Sequence, residues 1–210
     1  ESIQEIALRD VHLIREVQPE GPYTLWGYSF GARVAYETAW HLEQAGEVVD
    51  ELVLIAPGSP QLPGGDPVRA QADILFRDPS FLTILYSVFA QSIATERVAP
   101  LIEAAQDEQR FVDFVVAEKP ELDPGVISRI TRLVVRTYAP EYGLQMQERS
   151  ISAPTILLKA RGDSLSFLEM ATTTLIQPAK VVGLAPDHYE LLKHDGLGEL
   201  IHAIHRYAPT

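Results

Sequence analysis

The chain has 210 residues, 46% hydrophobic and 22% charged, with 17 basic against 29 acidic side chains for a net charge of −12. That composition suits a folded domain with one sizeable core and excludes disorder as the main state. The average field repels a nucleic-acid backbone and an anionic membrane surface, and no apolar run approaches the ~18 residues of a membrane span. With no Cys there is no disulfide framework, thiol nucleophile or Cys-ligated metal, and with no Asn there is no N-glycosylation sequon. The chain opens on Glu1 with no signal-peptide pattern, so the expectation is a piece cut from a longer polypeptide.

Residues 2–17 carry apolar side chains at helical spacing (Ile3, Ile6, Ala7, Val11, Ile14, Val17) and predict an amphipathic helix, ended by Pro19-Glu20-Gly21-Pro22. A short strand follows at 23–26, then a turn at Gly27–Gly31 and a second helix over 32–45, closed by Gly46. Residues 51–55, Glu-Leu-Val-Leu-Ile, read as a strand covered on both faces. Helix, strand, helix, strand predicts a parallel α/β sheet.

The pattern then changes. Residues 57–67 are rich in Pro and Gly, and residues 68–148 hold only helix-like segments, at 81–93, 96–105, 109–118 and 124–138. Strands return at 155–158 and 180–184, and a last helix spans 197–207. The organisation expected is therefore a core from 1–57 and 154–210, interrupted by a helical insertion over 58–153. A helical insertion between two sheet strands reads as a lid.

Gly27-Tyr28-Ser29-Phe30-Gly31 is a G-x-S-x-G match with a strand before it and a helix after it. In that context the chain reverses within one or two residues, which leaves Ser29 strained with its hydroxyl at the apex. Gly27 and Gly31, lacking Cβ atoms, are expected to let strand and helix approach. The Phe30 amide at the helix N-terminus is the candidate oxyanion donor.

A serine hydroxyl needs a base. Of six His residues, His188 alone follows a strand on a loop, at the carboxyl edge where Ser29 should emerge. His12 and His41 fall in helical segments, His194 in a polar turn, and His202 and His205 on a solvated helix face. For the group that orients the imidazole, Asp163 is preferred, just after strand 155–158 and 25 residues before His188. Asp187 is awkward as His188's chain neighbour, and Asp66 is a distant reserve. The order Ser29, Asp163, His188 is that of α/β-hydrolases. The tripeptide Arg161-Gly162-Asp163 reads as a chance adhesion motif.

The run Gln18 to Glu37, through Tyr23-Thr24-Leu25-Trp26-Gly27-Tyr28-Ser29-Phe30-Gly31, resembles the type I thioesterase domains of nonribosomal peptide synthetases and polyketide synthases. So does Asp187-His188-Tyr189-Glu190-Leu191-Leu192, followed by Gly196-Leu197 and a terminal helix. The resemblance covers residues 2–59 and 180–207; between them it is architectural only. It implies an α/β-hydrolase with a mostly parallel sheet and an all-helical lid. It also implies a Ser29 acyl-enzyme, with an acyl or peptidyl chain arriving on the 4′-phosphopantetheine of a carrier protein in the same polypeptide. Release would be by hydrolysis or macrocyclisation, with no metal or bound cofactor, no nucleic-acid or membrane partner, and a cytoplasmic setting. The alternatives are an editing thioesterase and a catalytically inactive docking domain.

Two departures from the family pattern stand out. Many members carry the triad acid directly after the strand equivalent to 52–55, where this chain has Ala56-Pro57, so the acid is expected to have moved to Asp163. Members also place several strands and an oxyanion loop before the helix equivalent to 2–17. Those strands are expected to be missing here, leaving strand 23–26 with an open edge. In the lid, Phe81, Leu82, Leu85, Val88 and Phe89 could line an apolar wall, though packing of the lid on itself is the plainer reading. Arg129, Arg132 and Arg136 share a helix face that could meet a carrier, although a solvated face is the plainer expectation there.

Overall fold

The structure, a computed structural model, describes residues 2–57, 75–90, 95–137, 149–162, 176, 178–188 and 190–208. In chain order the elements are α1 (Ile3–Val17), β1 (Tyr23–Tyr28), α2 (Phe30–Gln44), β2 (Val49–Ile55), α3 (Pro79–Ser87), α4 (Thr95–Ala104), α5 (Glu108–Glu118), α6 (Pro124–Thr137), β3 (Thr155–Arg161), β4 (Lys180–Asp187) and α7 (His194–Tyr207). They fall into two compact units, 1–59 with 142–210, and 60–141.

The first unit is built on a parallel sheet of order β1-β2-β3-β4. Its strands are apolar because both faces are covered. Leu52 and Leu54 of β2 join Val11, Ala32, Tyr36 and Leu42, from α1 and α2, on one side. Val53 and Ile55, alternating with them, join Leu184, Leu200 and Ala203 on the other side, where α7 packs. Period-two alternation thus sends successive side chains into two cores. The result is a three-layer sandwich whose four strands all end at one carboxyl edge.

α1 begins with a reciprocal cap that its sequence encodes. Ser2 Oγ accepts from the Glu5 amide at 3.1 Å, and the Glu5 carboxylate accepts from the Ser2 amide at 2.8 Å. α2 does a second job besides covering the sheet. Its buried Glu37 takes a two-nitrogen contact from the Arg149 guanidinium at 3.0–3.2 Å. One turn and a half further on, Glu43 accepts from the amides of Ser152 and Ala153 at 2.8–3.0 Å. Both carboxylates hold the segment that leads into β3.

The second unit contains α3 to α6. Phe81, Leu82, Leu85, Leu101, Phe111, Val115 and Ile127 form its core, each fully buried. Phe81, Leu82 and Leu85 therefore pack the helical unit on itself, while Val88 stands half exposed. Arg132 pairs with Glu108 at 2.7 Å, and Arg129 and Arg136 are exposed.

Several boundaries shift from the predicted ones. β1 continues through Gly27 to Tyr28, and α2 starts at Phe30, so the turn between them is a single residue. β4 runs on through Ala185, Pro186 and Asp187, which the sequence places in a loop. Pro is tolerated there because β4 is, among the described residues, an outer strand of this sheet, and Asp187 pairs with Arg161 beyond a register shift. α7 begins at His194, which is its first residue and not part of a turn. Most of residues 57–67, and the ends of the predicted helices over 81–93 and 124–138, lie outside the described residues.

Candidate active site

At the carboxyl edge of β1 the chain turns on Ser29 alone, at φ 54° and ψ −121°. That conformation is sparsely populated for a residue with a Cβ and costs on the order of 1–3 kcal/mol, sustained by the contacts around it. One is the Ser29 amide, which donates to the Ile55 carbonyl of β2 at 2.9 Å. Another is the Ser29 carbonyl, which accepts from Ala32 at 3.1 Å and starts α2.

The glycines that flank Ser29 differ. A Cβ on Gly27 would lie 2.3 Å from the Gly31 carbonyl oxygen and 2.5 Å from the Ala32 Cα. A Cβ on Gly31 would meet no described atom within 4 Å. The expectation that both glycines permit close approach is thus corrected. Gly27 alone makes room, because it sits on the strand beneath the first turn of α2, whereas position 31 faces open space.

His188 Nε2 lies 2.9 Å from Ser29 Oγ, across 159 residues of chain. With Nε2 unprotonated, the hydroxyl donates to it, which is the arrangement a base-activated nucleophile needs. The His188 loop is held from several sides. The Asp187 carboxylate accepts from the Glu190 amide at 2.9 Å, and the Glu190 carboxylate accepts from the Asp187 amide at 3.1 Å. Leu191 is fully buried, and a Cβ on Gly196 would lie 2.1 Å from the Glu190 carbonyl oxygen, so α7 packs directly on this turn. Asp187 therefore caps the turn that presents His188. On the sheet side, the Tyr28 hydroxyl donates to the His188 carbonyl at 2.5 Å, and the two rings lie 5.4 Å apart.

The remaining candidates are placed as follows. Phe30 is the first residue of α2, whose first turn carries no acidic side chain and whose N-cap makes no side-chain hydrogen bond. The positive end of the helix dipole is thus uncompensated from within the helix. Ala56, at φ 42° and fully buried, follows β2, and its amide donates to the Leu158 carbonyl at 2.8 Å. Asp163 lies outside the described residues, as does Asp66; Gly162, just before Asp163, has φ 82° and turns the chain as β3 ends.

The other His side chains that are described lie on helices. His12 pairs with Glu16 at 3.3 Å on the exposed side of α1, and His202 and His205 are exposed on α7. His41 lies 3.5 Å from Glu37, edge-on to Trp40, and burial holds its pKa below the ordinary value. Among the described residues no group of three His, Asp or Glu side chains could hold a metal ion, and no helix is long and apolar enough to cross a membrane. Sequence reading missed Tyr28 and Gly196 as parts of this site. Tyr28 fills a variable position of its motif, and nothing local marks Gly196 as the point where α7 meets the Glu190 turn.

Comparison with known proteins places this geometry in context. The family model for the thioesterase domain matches residues 1–207. An indigoidine synthase from Dickeya dadantii is 47% identical over 204 residues, covering 97% of this chain and 14% of that protein. The chain thus spans about one seventh of the length of that relative. The fold aligns over the whole chain, at TM-score 0.67 and 22% identity, with 16% of a four domain nonribosomal peptide synthetase bound to AMP and glycine. It also aligns with the wild-type Vlm2 thioesterase domain at TM-score 0.63 and 15% identity, covering 99% of this chain and 76% of that one.

Proposed function

Because the chain belongs to the thioesterase domain family and has the α/β-hydrolase fold, we propose that it releases an acyl or peptidyl chain from a carrier-bound thioester through an ester on Ser29. The observation that carries this reading is the 2.9 Å approach of His188 Nε2 to a hydroxyl held at positive φ on a one-residue strand-to-helix turn.

In the first half-reaction Ser29 Oγ adds to the thioester carbonyl carbon while its proton passes to His188 Nε2. The carbonyl oxygen becomes an oxyanion facing the N-terminus of α2, where the Phe30 amide is the proposed donor. Collapse breaks the carbon–sulfur bond, and His188 returns the proton to the leaving sulfur. In the second half His188 takes a proton from water, or from a hydroxyl or amine of the bound chain, which attacks the ester. Ser29 recovers its proton, and the product leaves as an acid, lactone or lactam. Asp163 is the proposed carboxylate behind the imidazole, directly after the turn at Gly162. Every step uses side chains and main-chain amides, so the proposal calls for no bound cofactor.

The substrate would arrive on the 4′-phosphopantetheine arm of a carrier domain in the same polypeptide. What supports this is the similarity to synthases several times longer than the chain, among them the indigoidine synthase. Further strands beside β1 and a second oxyanion donor are proposed to lie elsewhere in that polypeptide.

The test uses the full-length protein with a fluorophosphonate probe and an acyl-pantetheine thioester. Wild type is expected to label at Ser29 and to hydrolyse the thioester. Ser29→Ala should lose labelling and about 10⁶-fold in kcat, by the measure of other serine hydrolases. Asp163→Ala should lose on the order of 10⁴-fold. A folded wild type that neither labels nor turns over points instead to a docking domain. Unchanged turnover in Asp163→Ala removes Asp163 from its role.

A further inference from the structure

We infer that Tyr28 is a positioning residue that sets the His188 imidazole on the Ser29 hydroxyl, through its hydrogen bond to the His188 carbonyl and its ring against the imidazole. The inference rests on the serine-enzyme reading above and extends it to a residue outside the triad and the oxyanion hole.

Two distances carry it. The Tyr28 hydroxyl donates to the His188 main-chain oxygen at 2.5 Å, and the ring centroids lie 5.4 Å apart with the planes tilted by 36°. Tyr28 and Ser29 are chain neighbours on the last residue of β1 and the turn that follows. The strand end that presents the nucleophile therefore also grips the residue that presents the base.

The other supports of the His188 loop act beside His188. Asp187 and Glu190 cap each other's amides, Leu191 is buried, and Gly196 lets α7 close on the Glu190 carbonyl. These hold the residues on either side of His188, and the displacement that matters to Ser29 is rocking of His188 about the chain axis. Rocking would carry Nε2 away from Ser29, because the imidazole projects from the backbone at that point. The hydrogen bond from Tyr28 acts on His188 itself and opposes that motion. A base displaced by about 1 Å can cost up to ~10²-fold in rate, so one hydrogen bond can matter here while adding little to global stability. Tyr28 donates to the main-chain carbonyl of His188, so it acts through His188 and not on substrate.

The experiment compares Tyr28→Phe with wild type in the full-length protein. Readouts are the rate of Ser29 labelling by a fluorophosphonate across pH, and kcat and KM on an acyl-pantetheine thioester. The expected result for Tyr28→Phe is a labelling rate and kcat lower by roughly ten- to hundred-fold, with KM within about two-fold. The rise of the labelling rate with pH should flatten, since that limb reports a base in contact with Ser29. p-Aminophenylalanine at position 28, which restores a donor on the same ring, should recover most of the rate. Equal rates and pH profiles in wild type and Tyr28→Phe would overturn the inference while leaving the serine-enzyme reading intact. A slow p-aminophenylalanine variant, no faster than Phe, would overturn it too, by removing the hydroxyl's donor role. Should Tyr28→Phe fail to fold, O-methyltyrosine at position 28, which keeps the ring and removes the donor, takes its place in the same comparison. A wild type that does not label overturns the serine-enzyme reading, and the inference falls with it.

Discussion

The turn at Ser29 depends on single atoms around it. The strained turn persists because the Ser29 amide is tied to Ile55 and because Gly27 lacks a Cβ beneath Gly31 and Ala32. Adding one methyl at Gly27 forces backbone apart from backbone, with no flexible side-chain end to give way. Gly27→Ala is expected to lose about 2–3 kcal/mol of stability and most Ser29 labelling. Gly31→Ala meets no described atom and gains helix propensity, so it should be neutral or more stable by up to ~1 kcal/mol. Denaturant unfolding of the two variants checks the contrast. Equal losses would mean that the tight approach at Gly27 is not the source of the strain. The G-x-S-x-G pattern was legible in the sequence at both glycines. It could not tell them apart, because the pattern is written in spacing and the clash is between residues brought together only by the turn.

Among the elements, α2 does the most. Its N-terminus opens on Ser29, its apolar side covers β2, and its polar side secures the return segment through Glu37, Glu43 and the cation–π contact of Arg149 with Trp40 at 3.9 Å. His41 shares this cluster. Desolvation lowers its pKa most; Glu37 opposes that shift, and Arg149 adds to it. Folding thus favours neutral His41. Its contribution to stability is complete above the unfolded value near 6.5 and is lost as pH falls below it, because the unfolded chain then binds the proton more readily. Thermal unfolding of wild type should show a falling Tm from pH 7 toward pH 5, and His41→Gln should flatten that slope. An unchanged slope would exclude His41 as its source. Glu51 shifts the opposite way, raised by burial, and is common to both proteins, so the difference between them isolates His41. The helix itself was plain from its apolar spacing. The clamp was not, since Glu37 and Arg149 stand 112 residues apart and each reads locally as an ordinary surface charge.

At the scale of the whole molecule, the sheet has two outer strands among the described residues, β1 and β4. β2 and β3 are paired on both sides, whereas β1 is paired among the described residues only with β2. Beside it runs a groove of about 450 Å³ whose lining mixes Ile6, Ile14, Leu25 and Trp26 with the charged Arg9 and Asp10. Trp26 is 41% exposed there. A strand edge with no partner among the described residues, carrying an exposed Trp, invites pairing with another chain, and a charge on the edge is the usual deterrent. The 210-residue chain by itself is therefore expected to self-associate, and Trp26→Lys to reduce that association without loss of cooperative unfolding. Light scattering against concentration measures the difference. Equal scattering from the two would show that the edge is not the contact.

The linear pattern determined what depends on nearest neighbours and on periodicity. It placed the strands within a few residues and the helical insertion between them. It also singled out Ser29, by its motif between strand and helix, and His188, by its address after a strand. Local spacing carries those features because a buried parallel strand, an amphipathic helix and a one-residue elbow each restrict side chains only a few positions apart. The tertiary structure decided what joins distant residues: the approach of His188 to Ser29, the grip of Tyr28 on the His188 carbonyl, and the Arg149 clamp on α2. No local rule encodes those contacts, because each forms only after a parallel sheet has brought its strand ends to one edge and its helices to two faces.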